Sequence, residues 1–467
     1  MDDNNNKPVR GLKRRDFLGG SSFLAGGVLL GGTLSGCDKP SASSPTNATS
    51  AAAPSAAVTA AGDKTLKLAV IGCGGRGTGA VANAMRADGA TELVAVADAF
   101  ADNAEACAAK ARAMFGEIRV RVTPETTFSG FDAFQRATDM ADVVILTTPP
   151  GFRPEHFEYA ISKGKHVFME KPVATDAPGI RRVLAAARQA DANGLSVVVG
   201  LQRRYQPSYL EAYQRYREGA VGEIVSGQVY WNSPGVWVRP REAGQTEMEY
   251  QMRNWYYFNW LCGDHILEQH IHNIDVANWF LGEYPVSARG MGGRLVRNGP
   301  DHGEIFDHHS VEFVYPSGAV ISSFCRHMPG CEDMVLERFQ ATAGRIDTDG
   351  NFKGASTLTS LAGNEIYSHS GLLDGNPYQI EHEQLFSHIR EGRHINNAYY
   401  GANSTMTAIM GRMATYSGQE IRWDAALASE RRLVPESSEL SWDGKAPVMP
   451  DAGGNYAVPV PGQTKVI

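Results

Sequence analysis

Between residues 66 and 200 short apolar runs alternate with amphipathic stretches. "LKLAVI" (Leu66 to Ile71), "ELVAVAD" (ending at Asp98), "ADVVILTTPP", "KHVFMEKP" and "LSVVVGLQRRY" read as buried parallel strands. Helical stretches such as "RPEHFEYAISKG" separate them, which predicts a doubly wound α/β domain. After "QPSYLEAYQRYREGAVG" the period changes to two. "EIVSGQVYWNS", "VSARGMGGRLV", "HHSVEFVYPSG" and "AVISSFCRHM" alternate as half-exposed strands do, and predict one large, open, mostly antiparallel sheet. Between the first of these strands and the rest lies "GDHILEQHIHNIDVANWFLG", Gly263 to Gly282, with three histidines, two aspartates and a glutamate among apolar residues. The spacing predicts one helix over 264–281 with Asp264 as its cap. Glu268, His272 and Asp275 then share a stripe with His265 and Trp279, a polar line in an apolar cylinder. Buried polar groups are costly without partners, so the line is expected to face a cleft. Two further helical stretches, "YQIEHEQLFSHIREG" and "STMTAIMGRMATYSGQEI", are expected to pack back on the core.

The chain of 467 residues is long enough for two domains. Expected boundaries are 65–205 for a Rossmann dinucleotide-binding domain, 206–440 for a second domain of α+β type, and 441–467 for an extended surface tail. The N-terminus reads as a leader. Arg14 and Arg15 precede Phe17, Leu18 and a glycine-rich apolar stretch ending in "LSGC", the order of a twin-arginine export signal closing on a lipoprotein box over 1–37. Cys37 would carry the lipid anchor, giving a periplasmic or membrane-anchored protein, and the Ser/Ala/Pro-rich 38–64 reads as a disordered tether. The net charge of -7, without a basic tract, argues against a nucleic-acid partner. No CxxC pair occurs among the six cysteines, and only Cys325 and Cys331 are close enough in sequence for a turn to join them.

The first strand runs into Gly72, Gly74 and Gly77 and then a helix, the order a dinucleotide fingerprint requires. Gly72 permits the turn, Gly74 lets the backbone approach the pyrophosphate, and Gly77 lets helix and strand pack. Asp98, 21 residues beyond Gly77, stands where an acid binds the adenosine ribose and repels a 2′-phosphate, so NAD is favoured over NADP. The expected cofactor set is Gly72, Gly74, Gly75, Arg76, Gly77, Asp98, Thr147, Thr148, Pro149, His156, Glu170 and Lys171.

These motifs resemble the Gfo/Idh/MocA family of sugar and cyclitol oxidoreductases. The resemblance rests on "GCGGRG" at Gly72 to Gly77, "EKP" at Glu170 to Pro172, and Glu268-x-x-x-His272-x-x-Asp275. It implies a Rossmann domain followed by a domain whose open sheet makes an oligomer contact. It also implies hydride transfer between a nicotinamide cofactor and a carbohydrate carbinol. His272 would exchange the hydroxyl proton, Lys171 would hold the oxygen, and Asp275 would bind substrate hydroxyls. Glu268 departs from the family's usual aspartate. His265, Arg203 and Tyr205 are expected to border the sugar site, and "WNSPGVWVRPRE" and "RNWYYFNW" offer rings for stacking. His270 points elsewhere on the helix and reads as structural. A metal held by His265, Glu268, His272 and His308 or His309 is the lesser reading beside a nucleotide fold, and none is expected; "DHGEIFDHH" reads as a solvated loop. The leading function is an exported carbohydrate oxidoreductase with resident NAD. The alternatives are a glycosidase using NAD for transient oxidation and elimination, and a non-catalytic sugar-binding lipoprotein.

Overall fold

The computed structural model describes residues 60–351 and 354–467. The leader, Cys37 and the tether up to residue 59 lie outside the described residues. Among those described, no helix is long and apolar enough to cross a membrane.

Six parallel strands form the first sheet: β1 Leu66–Ile71, β2 Thr91–Asp98, β3 Thr127–Ser129, β4 Val143–Leu146, β5 His166–Met169 and β6 Val197–Val199. Their order is β3-β2-β1-β4-β5-β6. Helices cover both faces, so β1, β4 and β6 bury nearly every side chain; Leu68, Val70, Val143 and Val198 are fully buried. Each such side chain contributes about 1.5–3 kcal/mol to folding. The order reverses between β1 and β4, and a crevice opens there at the strands' carboxyl ends.

The second sheet has nine strands: β7 Ile224–Ser233, β8 Ser287–Gly293, β9 His308–Val314, β10 Val320–His327, β11 Met334–Ala341, β12 Gly344–Asp349, β13 Ser356–Ser360, β14 Glu365–His369 and β15 Ile421–Arg422. All pairs are antiparallel except β7 with β10. The helices Ile271–Leu281 and Ala398–Ser417 pack on this sheet. The helix Pro377–Glu391 instead returns to the first domain and packs on Gly75–Ala87. The expected division at residue 206 is therefore crossed again by the chain.

Two expectations change. The segment 264–281 is two helices, His265–Glu268 and Ile271–Leu281, broken at Gln269 and His270. The tail is irregular as expected but does not lie free. Trp442 packs against Phe100 and Phe131 with ring centroids 5.1 and 4.6 Å apart, and Tyr456 is buried against Phe258. Large rings carry enough apolar area to pull an irregular segment down.

Candidate functional site

The glycine turn separates into two kinds of position. Gly72 has φ +95, and a Cβ there would stand 2.5 Å from the Thr147 backbone; a Cβ on Gly77 would meet the Gly72 carbonyl at 1.9 Å. These glycines are needed for packing. At Gly74 and Gly75 a Cβ would meet nothing within 4 Å, so this backbone faces open space. The helix Gly75–Ala87 begins there with no acidic residue in its first turn and no side-chain cap, leaving its first N–H groups and positive dipole end free for an anion. Thr147 Oγ1 clamps the turn by donating to the Gly72 carbonyl at 2.6 Å.

A cleft of about 340 Å³ runs from this turn past Asp98, Thr147 to Pro149 and His156. Asp98 accepts from the N–H groups of Cys73 at 2.6 Å and Phe100 at 3.0 Å and from Asn103 Nδ2 at 3.2 Å. Burial raises its pKa against those bonds. His156 stacks on Phe134 at 4.1 Å, and burial lowers its pKa to about 3, so its ring is neutral. A glycine cradle, a bare helix N-terminus and a half-buried acid at the second strand's end together fit a dinucleotide. Arg76, beside the cradle, is ion-paired to Glu170 and, at 3.2 Å, to Glu381.

Past the end of β5 stands Lys171. Its Nζ donates to the Glu268 carbonyl and lies 3.8 Å from Glu268 Oε1. His272, on the next helix, packs near Trp231, ring centroids 5.9 Å apart. Burial, then the charge of Lys171, depresses the His272 pKa well below its ordinary value, so the imidazole is neutral. Burial pushes Glu268 up to about 7 in spite of Lys171 and Arg153. Glu268 Oε2 and His272 Nδ1 are buried without a hydrogen-bond partner. Other buried histidine nitrogens, His265 Nε2 and His309 Nε2 among them, also lack a hydrogen-bond partner, so what sets this place apart is a partnerless carboxylate oxygen beside a lysine and a neutral imidazole.

Four expected substrate residues are placed elsewhere. Asp275 is buried, its carboxylate held by Arg204 at 2.8 and 2.9 Å and by Ser404 at 2.7 Å, so no oxygen is left facing a sugar. Arg203 is buried in an ion pair with Glu337. Tyr205 donates its hydroxyl to Asn397. His265 faces inward, its Nδ1 donating to Asp264 Oδ1 at 2.8 Å. Asp264 is the centre of a buried knot. Its Oδ2 accepts from Tyr416 at 2.6 Å and the Phe306 N–H at 3.0 Å, with His309 Nε2 at 3.3 Å. Its backbone sits at φ 76, ψ 160, a conformation that costs a non-glycine residue about 1–3 kcal/mol. The donors around its carboxylate hold it there.

The loop 301–309 is likewise not solvated, since Glu304, Asp307 and His309 are buried. His270 donates to or accepts from Ser323 at 2.7 Å, a structural bond. Cys325 is buried, Cys331 exposed, and both are free. The aromatic segments contribute Trp237, Arg239, Met252, Arg253 and Trp255 to the cleft, on the side of Asp98. Sequence reasoning missed Arg153, which donates to the carbonyls of Leu146 and Glu170, and Glu381, whose partner Arg76 is 305 residues away.

Comparison with known proteins agrees with this architecture. Residues 66–199 match the model of the oxidoreductase family with the NAD-binding Rossmann fold, and residues 209–337 match the GFO/IDH/MocA C-terminal domain. The chain is 28% identical over 273 residues to inositol 2-dehydrogenase of Rhizobium meliloti (strain 1021), covering 58% of this chain and 72% of that protein. It is 28% identical over 203 residues to 2,7-anhydro-N-acetylneuraminate hydratase of Escherichia coli (strain K12), covering 44% and 50%. The match to the curated relatives thus spans from half to about three quarters of their length. The structure of aldose-aldose oxidoreductase from Caulobacter crescentus, complexed with glycerol, superposes with a TM-score of 0.60 at 20% identity, over 77% of this chain and 100% of that one. The chain therefore belongs to the Gfo/Idh/MocA oxidoreductase family, and its first sheet is that family's NAD-binding Rossmann domain.

Proposed function

We propose that this protein oxidises a secondary hydroxyl of a sugar or cyclitol, using NAD held in the cleft. The observation that carries the reading is the meeting of Lys171, past the end of β5 in the domain that carries the glycine cradle, with Glu268 and His272 of the second domain, two of whose atoms are buried without a partner. When bound, the nicotinamide supplies the hydride acceptor. The chain's own part is the proton. The neutral His272 imidazole accepts the hydroxyl proton as the carbinol becomes a carbonyl, and Lys171 Nζ donates to the oxygen as its negative charge develops. Glu268 orients Lys171, accepting from its Nζ at the backbone carbonyl with the carboxylate 3.8 Å away. Gly74 and Gly75 receive the pyrophosphate, and Asp98 accepts from the ribose hydroxyls, which supports NAD over NADP. To test the reading, the purified chain is denatured and assayed for released nicotinamide nucleotide, then loaded with NAD and mixed with sugars and cyclitols. A protein that neither holds nor binds a nicotinamide nucleotide would overturn it.

A second reading has support from the likeness to the hydratase and from Glu268. Once the sugar is a ketone, a base with a pKa near 7 is suited to remove the acidified neighbouring C–H proton, and the glycosidic substituent leaves by elimination. Water then adds and the hydride returns, so no net redox change occurs. Incubation with a panel of glycosides separates the two. Sugar release with unchanged cofactor absorbance selects the glycosidase, and stoichiometric reduction with ketosugar accumulation selects the dehydrogenase.

Arg14, Arg15 and the "LSGC" box support export by the twin-arginine route with lipid on Cys37, and the open sheet supports a homo-oligomer. Mass analysis of the mature N-terminus and light scattering test these two points.

A further inference from the structure

We propose that segment 234–258, which leaves β7 and runs to the histidine-rich region, forms the adenine-binding wall of the cleft and latches onto the Rossmann domain through Arg253. The proposal rests on the dinucleotide reading above. Beyond Asp98 the Rossmann side of the cleft is aromatic, with Phe100, Phe131 and Phe134. Facing it from the segment are Trp237, Met252, Arg253 and Trp255. A planar, electron-rich heteroaromatic ring such as adenine fits between such walls, because indole and guanidinium faces both stack on it. Lys171, Glu268 and His272 are not among the residues lining this cleft, so the aromatic wall stands at the ribose end and not with the proton-transfer cluster.

The segment is braced by its own hydrogen bonds and ring contacts and is closed where it meets the first domain. Asn254 is buried and accepts from the Arg239 N–H at 2.9 Å; Tyr257 donates to the Val236 carbonyl at 3.2 Å. The rings of Trp237 and Trp255 meet edge to face at 5.7 Å. Across the cleft, Arg253 binds Asp102 through two bonds of 2.9 and 3.0 Å, and its guanidinium lies 3.6 Å from the centre of the Phe100 ring. Trp442 of the tail packs behind Phe100 and Phe131. Asp102 and Arg253 stand 151 residues apart, so their bond ties the two domains together over the adenine end. The Asp102 side chain is 64% exposed and that of Arg253 28%, so the latch can open in water and is screened by salt. Nucleotide release must then wait for it to open.

The test uses the full chain loaded with NADH, whose dissociation is followed by stopped-flow fluorescence. Arg253→Ala and Asp102→Ala should each speed release by about tenfold, from loss of the ion pair and the cation–π contact. The exchanged pair Arg253→Asp with Asp102→Arg should restore slow release to within about threefold of wild type, since it rebuilds the bridge. Added salt should speed release from the wild type and leave Asp102→Ala unchanged. Trp255→Ala should weaken ADP-ribose, which keeps the adenine and lacks the nicotinamide, as much as NADH. Wild-type release rates in both single variants would overturn the latch, and a Trp255→Ala loss confined to NADH would overturn the adenine assignment. A wild-type chain that binds neither NADH nor ADP-ribose would instead overturn the dinucleotide reading itself.

Discussion

The segment Asp264 to Asp275 holds two polar groupings of similar composition and opposite condition. At its start, Asp264 and His265 are buried in a knot whose carboxylate is saturated with donors. A few residues on, Glu268 is half-buried and His272 buried, the Glu268 carboxylate keeps an oxygen without a partner, and a lysine from the other domain donates to the Glu268 carbonyl. Asp275, further along, is saturated again by Arg204 and Ser404. The two groupings both hold histidine nitrogens without partners, and it is the carboxylate that differs: Asp264 and Asp275 are fully paired, and Glu268 Oε2 is not. A satisfied buried charge holds elements together, and an unsatisfied one is kept for a ligand.

The largest effects should fall on the unsatisfied group. His272→Ala and Lys171→Ala should each slow single-turnover reduction of bound NAD by about 10²–10⁴ with an identified substrate. Their unfolding midpoints in urea should stay near wild type. Wild-type turnover in both variants would place this group with the structural one.

The reverse pattern is expected of the knot. Asp264→Ala leaves four donors facing a buried gap and should cost about 3–5 kcal/mol of stability in urea unfolding. Its pH dependence has a defined sign. Burial raises the Asp264 pKa, but His309 and His265 outweigh it and hold it well below the usual carboxylate range. The contribution is therefore full above the unfolded value near 4 and is lost as pH falls through the folded value. An Asp264→Ala protein of unchanged stability would show the knot to be incidental.

What was legible in the sequence follows the same division. Groups read from neighbours in the chain were placed well. Gly72 to Gly77 depend on one turn, and five of the six strands from Leu66 to Val199 announce themselves by apolar runs; the short, half-exposed edge strand β3 Thr127–Ser129 does not and was missed. Groups whose condition depends on distant partners were not. The helical stripe brings Asp275 and His265 into line with Glu268, but Arg204 and Ser404 arrive from other elements and claim Asp275, and the neighbouring Asp264, turned by its own distant partners, takes His265. The turn at Gln269 and His270 breaks the stripe as well. Arg203 looked available because Glu337, on β11, lies 134 residues away. β11 carries Glu337 and Arg338 side by side, β12 alternates Arg345, Asp347 and Asp349, and β13 is mostly serine and threonine, which muted the apolar signal of this half of the sheet.

A smaller effect should distinguish Glu268 from its saturated neighbours. Burial raises its pKa to about 7 in the folded protein, against about 4.5 for the free group. Below the unfolded value both states are protonated. Between the two values the unfolded chain releases the proton and the folded chain keeps it, so stability falls by about 3 kcal/mol as pH rises through that window. Glu268→Gln cannot ionise and should flatten that slope, measured as urea stability between pH 4.5 and 7. It should also remove a pH-dependent step near 7 from the single-turnover rate. An unchanged slope would mean that Lys171 already neutralises the carboxylate.

The smallest expected effect concerns cofactor choice, and it sharpens the comparison from the other domain. Asp98 resembles the knot in accepting from Cys73, Phe100 and Asn103, but it borders the cleft, as Asp264 does not. A carboxylate has about four lone-pair sites, so with three donors it can still accept from a ribose hydroxyl, and its charge repels a 2′-phosphate. Asp98→Ser keeps a polar group, removes the charge and shortens the side chain. NAD affinity should fall and NADP affinity rise, narrowing the preference by about tenfold, or roughly 1.4 kcal/mol. The Cys73 and Phe100 N–H groups lose their acceptor in the same variant, so a change in overall folding is the competing explanation. Titrating NADH and NADPH into one preparation separates the two, because misfolding lowers both affinities together while loss of charge moves them in opposite directions. If both fall equally, Asp98 belongs with Asp264 as a brace of the turn, and discrimination between the two cofactors lies elsewhere in the cleft.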